Sequence, residues 1–164
     1  MTASSRLSWV DDDPARFQRE LDAMPPVAPD LSWDGAQWVG TVPLWPFDRP
    51  QPVGLDDFVN NRRLHVEVSY FESFPMVAPR FMPIDPVPEL AIRTMNMWHV
   101  MGDGSLCMFQ NFTDWDPWCT AADLVPKASG WFIEYHLLRA ERIEKMSESG
   151  IVSDDSFDCL MVVP

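Results

Sequence analysis

The sequence predicts an α+β fold in which an N-terminal helix precedes an antiparallel strand meander, a long loop and C-terminal helices. Two observations predict it: strand-like segments follow one another without helices between them, and helical patterns occur towards both ends. The 16 Pro among 164 residues argue against a helical bundle, because Pro disrupts helix interiors. With 46% apolar residues, a chain of this length can bury the core of one domain.

The charge balance excludes several functions. The chain has 12 basic and 25 acidic residues, a net charge of −13. We therefore expect no binding to nucleic acid or to anionic membranes, since phosphate affinity comes from Lys and Arg. No apolar run approaches the roughly 18 residues of a membrane span, and the N-terminus lacks the apolar core of an export signal. Three Cys without framework spacing favour a reducing cytoplasm and free thiols.

The domain organisation is simple. We predict an N-terminal lead at residues 1–10, a single domain at 11–146 and a tail at 147–164. The tail is acidic and then apolar, and could be either a docked strand or a loose segment. No internal repeat is present in the sequence.

The first helix is predicted at residues 11–24. Asp13 is suited to cap its N-terminus, and Pro14 is favoured at the first helical position. The Pro-rich run at 25–29 is expected to end it.

Four strands are predicted after this helix. The Asp-Gly pair at 34–35 favours a hairpin turn, and strict apolar alternation favours the third strand. The fourth contains Pro, which edge strands tolerate. The predicted strands are 31–33, 36–45, 62–71 and 80–84.

The C-terminal half begins with an irregular stretch. Residues 91–119 lack periodicity, and a long loop inside a compact domain is usually functional. Thr120 opens the sequence Thr-Ala-Ala-Asp, which predicts a capping box at a helix start. Pro126 and Gly130 are expected to interrupt this helix. The apolar stripe then predicts a second one at 131–146.

The segment around Cys107 is the most informative. It reads Asp-Gly-Ser-Leu-Cys at 103–107 and is followed by Trp115, Pro117 and Thr120. Upstream, residues 74–79 read Phe-Pro-Met-Val-Ala-Pro. In these features the chain resembles ubiquitin-conjugating enzymes, whose active cysteine ends a similar motif with similar spacing to Trp, Pro and Thr. The joint spacing carries the resemblance, because the short motif alone would be weak.

The resemblance covers about residues 11–146 and implies a ubiquitin-conjugating-enzyme-like fold. It implies that Cys107 accepts a ubiquitin-like protein from an adenylating activating enzyme as a thioester and passes it to an amine of a target protein. No cofactor is implied. His99 occupies the position that holds an Asn in many members of the family. In this respect the chain resembles a bacterial branch whose members are encoded beside ubiquitin-like proteins, frequently in antiviral systems. The His99 side chain would then donate a hydrogen bond to the oxyanion that forms when the amine attacks the thioester, and would stabilise it by about 3 kcal/mol.

Other residues near Cys107 receive weaker interpretations. Asp114 and Asp116 are candidates to accept the proton of the amine. Gly102 and Gly104 would let the backbone approach an incoming carbonyl.

Two alternatives remain open. The chain could be a non-catalytic adaptor module of the same fold, although such a module has no need of Cys107. It could be an unrelated hydrolase that pairs the thiol with His65 or His99. A metal site built from His99, Cys107 and Cys119 is not expected, since the closely spaced Cys pair of structural zinc sites is missing. Cys119 is expected to pack in the protein interior.

The two lysines, Lys127 and Lys145, follow the motif. A preference for Arg explains this scarcity most simply. Alternatively, few internal amines would compete with the true acceptor of the acyl group.

Overall fold

The computed structural model describes residues 8–162, without the side chains of Ser8 and Phe112. These residues form four α-helices and four strands, so the predicted α+β class is confirmed. Residues 1–7 of the predicted lead and 163–164 of the predicted tail lie outside the described residues. Within residues 8–162 no helix combines the length and apolar character needed to cross a membrane. The elements are α1 (Ser8–Asp12), α2 (Pro14–Val27), β1 (Leu31–Trp33), β2 (Trp38–Thr41), α3 (Leu55–Phe58), β3 (His65–Ser69), β4 (Arg80–Asp85) and α4 (Val125–Arg139).

The strands form the predicted meander. Their order in the sheet is β1-β2-β3-β4, and each pairs antiparallel with the next. Trp38 lies opposite Val68, which in turn lies opposite Phe81. All three side chains are buried, so this face of the sheet packs on the core.

Helix α2 has the predicted Asp13 cap, but it begins at Pro14 rather than at residue 11 and ends later than predicted, while residues 11 and 12 belong to α1. The Asp13 side chain accepts a hydrogen bond from the backbone nitrogen of Arg16 at 2.9 Å. Pro25 and Pro26 lie inside its last turn, so the helix continues to Val27 rather than ending at residue 24.

The prediction for the C-terminal helix is wrong at its start. Helix α4 begins at Val125, not at 131. Pro126 lies in the first turn, where a backbone N–H has no helical partner to lose. Gly130 lies in the helix interior, and a Cβ there would be 3.2 Å from Cγ1 of Ile151. Gly130 therefore lets the C-terminal segment pack closely, which compensates for its low helix propensity.

The prediction is also wrong at the helix end. Helix α4 stops at Arg139, seven residues before the predicted boundary at 146. Glu141 follows with a left-handed φ of +56°, and the backbone nitrogen of Arg142 donates to the Leu137 carbonyl at 2.8 Å. This turn ends the helix without the Gly that usually marks such a position.

The described part of the predicted tail, 147–162, packs on the domain. Ile151 is fully buried. The Arg49 guanidinium donates to both carboxylate oxygens of Asp158 at 2.9 and 3.0 Å, and to backbone carbonyls of the segment. This bidentate pair fixes the segment against the loop that follows β2.

Candidate active site around Cys107

Cys107 is held beside the edge of the sheet. Its backbone nitrogen donates to the His99 carbonyl at 2.9 Å, and a β-bridge joins Val100 to Leu106. The Leu106 nitrogen donates to the carbonyl of Phe81 in β4 at 2.9 Å. The backbone on the N-terminal side of the thiol is therefore fixed from two directions.

The turn that precedes Cys107 has a local reason for its Asp-Gly sequence. Asp103 accepts hydrogen bonds from the hydroxyl and the backbone nitrogen of Ser105 at 2.6 and 2.9 Å, and these bonds lower its pKa. Gly104 has a φ of +93°, and a Cβ there would be 2.9 Å from Cζ of Arg93. Gly102 and Gly104 do not line the cavity beside Cys107.

The exposed thiol of Cys107 lies at a cavity of about 380 Å³. Three parts of the chain form it: the loop around Cys107, one face of α4, and residues 148–150. The Cys107 Sγ lies 3.4 Å from the Phe109 carbonyl oxygen, a weak hydrogen bond. Both predicted site residues, Cys107 and His99, line this one cavity.

His99 is half-buried and has a left-handed backbone, with φ +47°. Burial lowers its pKa. The imidazole is therefore neutral near pH 7 and has one N–H to donate and one nitrogen to accept. Its role in the reaction stays a prediction.

The two carboxylates predicted to accept the amine proton lie in different places. Asp114 lines the cavity, but it is exposed and accepts a hydrogen bond from the Asn111 nitrogen at 3.2 Å. Asp116 lies outside the cavity lining and caps the Trp118 nitrogen at 2.9 Å. Asp116 is therefore a turn residue in this structure.

The other candidates also lie apart from Cys107. His65 is in β3 and does not line the cavity, so of the two candidate histidines only His99 is placed beside the thiol. Cys119 is half-buried, and burial raises its pKa. Among residues 8–162 no group of three or more His, Cys, Asp or Glu side chains is placed to hold a metal ion.

Glu134 is a cavity residue that sequence reasoning missed. It lies in α4, is only 2% exposed, and lines the cavity. Its Oε1 accepts a hydrogen bond from the Ser147 nitrogen at 2.6 Å. Burial raises the pKa of Glu134, and the bond from Ser147 opposes this effect.

Lys127 is the second missed residue, and it places an amine in the cavity. Its Nζ donates to the Met108 carbonyl at 3.0 Å and lies 4.4 Å from the centroid of the Phe109 ring. Lys127, Trp131 and Glu134 follow helical spacing along one face of α4. That spacing was a usable signal, but the predicted helix start at 131 excluded Lys127 from the helix.

The residues that follow Cys107 in the motif have structural roles. Trp115 is buried, and its Nε1 donates to the Pro75 carbonyl at 2.7 Å, which ties the loop to residues 74–79. Trp118 is 77% exposed. The predicted capping box is confirmed, because the Thr120 nitrogen and hydroxyl donate to Asp123 at 2.7 and 3.1 Å.

A buried polar network anchors the far end of the loop. Glu20 in α2 accepts hydrogen bonds from the Tyr70 hydroxyl at 2.8 Å, the Ala121 nitrogen at 2.9 Å and the Arg16 guanidinium at 3.2 Å. Arg16 also donates to two carbonyls of the loop. Trp38 completes the network by donating to the Tyr70 oxygen at 3.0 Å. Helix α2 and the sheet therefore fix the entry to α4.

The chain matches no protein-family model, no curated protein and no solved structure. The resemblance to ubiquitin-conjugating enzymes thus rests on the motif spacing around Cys107 and on the order of the elements.

Proposed function

We propose that Cys107 carries a ubiquitin-like protein as a thioester, receives it from an activating enzyme and transfers it to an amine of a target protein. The observation that carries this proposal is the exposed thiol of Cys107 at a cavity, on a backbone fixed by hydrogen bonds. A carrier needs this combination, because its thiolate must reach a donor thioester and must then present the acyl carbon to an amine. Membership of a cytoplasmic bacterial antiviral conjugation system is part of the proposal.

The chemistry has two steps. The Cys107 thiolate attacks the carbonyl carbon of the donor thioester, a new C–S bond forms, and the donor thiol leaves. An amine nitrogen then attacks the same carbon, and the C–S bond to Cys107 breaks. The neutral His99 beside Cys107 donates its N–H to the oxyanion formed in the second step.

The test is covalent loading in the protein's own cells. The chain is isolated under acidic denaturing conditions, which preserve thioesters, and is analysed by non-reducing gels and mass spectrometry. We expect an adduct of a small protein joined through its C-terminal carboxyl to Cys107 and removed by thiol reductant. Cys107→Ser should give an ester that resists the reductant, and Cys107→Lys a stable amide.

The matched controls are the other two thiols. Cys159 is exposed like Cys107, and Cys119 is half-buried. Cys159→Ala and Cys119→Ala should retain the adduct, whereas Cys107→Ala should lose it. An adduct that survives in Cys107→Ala, or no adduct in any of these variants, would refute the carrier function.

A further inference from the structure

The cavity beside Cys107 holds a buried carboxylate without a cationic partner. Glu134 is 2% exposed, and within residues 8–162 its hydrogen-bond partners all belong to Ser147, whose backbone nitrogen donates at 2.6 Å. No ion pair of the described residues includes it. Burial of a carboxylate is costly unless donors or cations compensate for the lost water. Glu134 is therefore poised to bind a cation that enters the cavity.

The walls of the cavity favour a particular kind of cation. Leu106, Phe109 and Trp131 contribute apolar surface to the lining. Lys127 is already engaged, because its Nζ donates to a carbonyl and lies over the Phe109 ring. A primary ammonium on an alkyl stem matches this lining, since the stem would contact the apolar walls and the ammonium would reach Glu134.

We propose that this cavity is the acceptor subsite, that it binds a primary alkylamine such as a lysine side chain, and that Glu134 receives the ammonium and removes a proton from it. The inference rests on the proposed role of Cys107 as an acyl carrier. It goes beyond that role by naming the class of acceptor and the group that activates it.

The step balances as follows. The acceptor enters as an ammonium and gives one proton to the Glu134 carboxylate, which becomes a carboxylic acid. The neutral nitrogen attacks the thioester carbon, the C–N bond forms and the C–S bond to Cys107 breaks. The nitrogen gives its second proton to the leaving thiolate, and Glu134 returns its proton to water. Burial raises the pKa of Glu134, which makes its carboxylate a better base than an exposed one.

The other carboxylates of the lining are less suited to this role. Asp114 and Glu148 are both exposed. Asp114 also accepts a hydrogen bond from the Asn111 backbone nitrogen. Water around an exposed carboxylate screens its attraction for an ammonium. Charged or titratable groups around Glu134 are Lys127 on its own helix, His99 and Asp114 on the loop, and Glu148 and Asp154 on the C-terminal segment.

The experiment attaches the acyl group chemically. In a chain that carries Cys119→Ser and Cys159→Ser, Cys107 is the one remaining thiol. It is acylated with the mercaptoethanesulfonate thioester of acetyl-glycyl-glycine. Intact mass spectrometry then follows loss of the acyl group to either of two nucleophiles. Nα-acetyl-lysine amide is an alkylammonium at pH 7, whereas hydroxylamine is neutral there and needs no proton removal before attack.

Glu134→Gln is the informative variant, because its amide oxygen can still accept the hydrogen bond from the Ser147 nitrogen, which preserves the local fold. We expect the rate with the lysine amide to fall about a hundredfold, a typical contribution of general base catalysis. The rate with hydroxylamine should change little. With Glu at position 134 the rate with the lysine amide should level off once the pH is high enough to ionise Glu134, whereas in Glu134→Gln it should keep rising with the fraction of neutral amine. Glu144→Gln, an exposed Glu outside the cavity, is the matched control and should behave as wild type.

Three outcomes would overturn the proposal. Glu134→Gln could leave the rate with the lysine amide unchanged, or slow both nucleophiles equally, which would indicate a structural effect. Alternatively, Asp114→Asn, and not Glu134→Gln, could slow the lysine amide. Because the acyl group is attached chemically, the result does not depend on the natural cargo. Absence of an adduct in cells would therefore refute the carrier function separately.

Discussion

The supporting region of this protein and its candidate site each contain one buried glutamate, Glu20 in α2 and Glu134 in α4. They are 1% and 2% exposed, and burial raises the pKa of both. Glu20 accepts hydrogen bonds from three donors, Tyr70, Ala121 and Arg16. Glu134 has one residue, Ser147, as its hydrogen-bond partner within the described residues, and it lines a cavity. Burial alone therefore does not mark a functional carboxylate. A functional carboxylate is marked instead by the hydrogen-bond or ionic partners that the folded chain does not supply to it.

The largest expected effect on stability comes from Glu20→Gln. This change leaves the buried Arg16 guanidinium without its carboxylate partner. We expect the free energy of unfolding to fall by about 3 kcal/mol, as for other broken buried ion pairs. Urea unfolding at pH 7 measures this, with Glu134→Gln as the matched substitution in the other region. Equal effects of the two variants would remove the distinction between the regions.

On the side of the site, His99→Ala should slow transfer to amine about a hundredfold while thioester loading and stability stay near wild type. The reason is that the oxyanion forms when the amine attacks, and His99 lines the cavity with Cys107. Single-turnover loading and discharge, measured separately, test this. Equal loss of both steps together with a lower melting temperature would instead place His99 with Glu20 in the supporting region.

Tyr70→Phe tests the supporting network more gently. It removes the hydroxyl that joins Trp38 to Glu20 and leaves the Trp38 N–H without this acceptor. The expected cost is about 1–2 kcal/mol of unfolding free energy, as for other unsatisfied buried groups. Acyl transfer from Cys107 by the folded protein should be unchanged. A transfer rate that falls without loss of stability would connect this network to the chemistry.

The smallest expected effect is on the stability of Glu134→Gln. Burial raises the folded pKa of Glu134 above its unfolded value, so ionisation of this group costs the folded state stability as pH rises through the folded pKa. Gln cannot ionise. The variant should therefore gain stability relative to wild type between pH 4 and pH 8, by less than any change above. Urea unfolding across this pH range measures the trend, and a relative gain on acidification would contradict it.

The elements with a short-range cause could be predicted. Asp13 and Pro14 start α2 because a capping side chain and a fixed φ act within one turn. The Thr120 capping box acts over the same distance. The four strands follow from alternation and from the Asp-Gly turn. The bounds of α4 could not be predicted. At its start, Gly130 stays helical because Ile151 of a distant segment packs against it. At its end, Glu141 takes a left-handed conformation that sequence patterns rarely predict for a residue other than Gly.

The candidate site was predictable only in part. Cys107 and His99 were identified from the motif, and both line the cavity. Glu134 was missed because a Glu on a predicted helix is usually exposed, and its burial depends on how residues 147–150 return to α4. Lys127 was missed because the helix that carries it was predicted to begin at 131 rather than at Val125. The scarcity of lysine therefore does not leave the surroundings of Cys107 free of amines.

The hydrogen bonds between Arg49 and the C-terminal segment have a consequence for the cavity. Arg49 holds Asp158, which lies 109 residues further along the chain, and residues 148–150 form one wall of the cavity. A chain cut at the predicted boundary of 146 would lose this wall, the Ile151 contact and the donor to Glu134. Replacement of this one segment would reshape the cavity without altering Cys107. Under the proposed function, acceptor specificity would then vary as a module separate from the thiol.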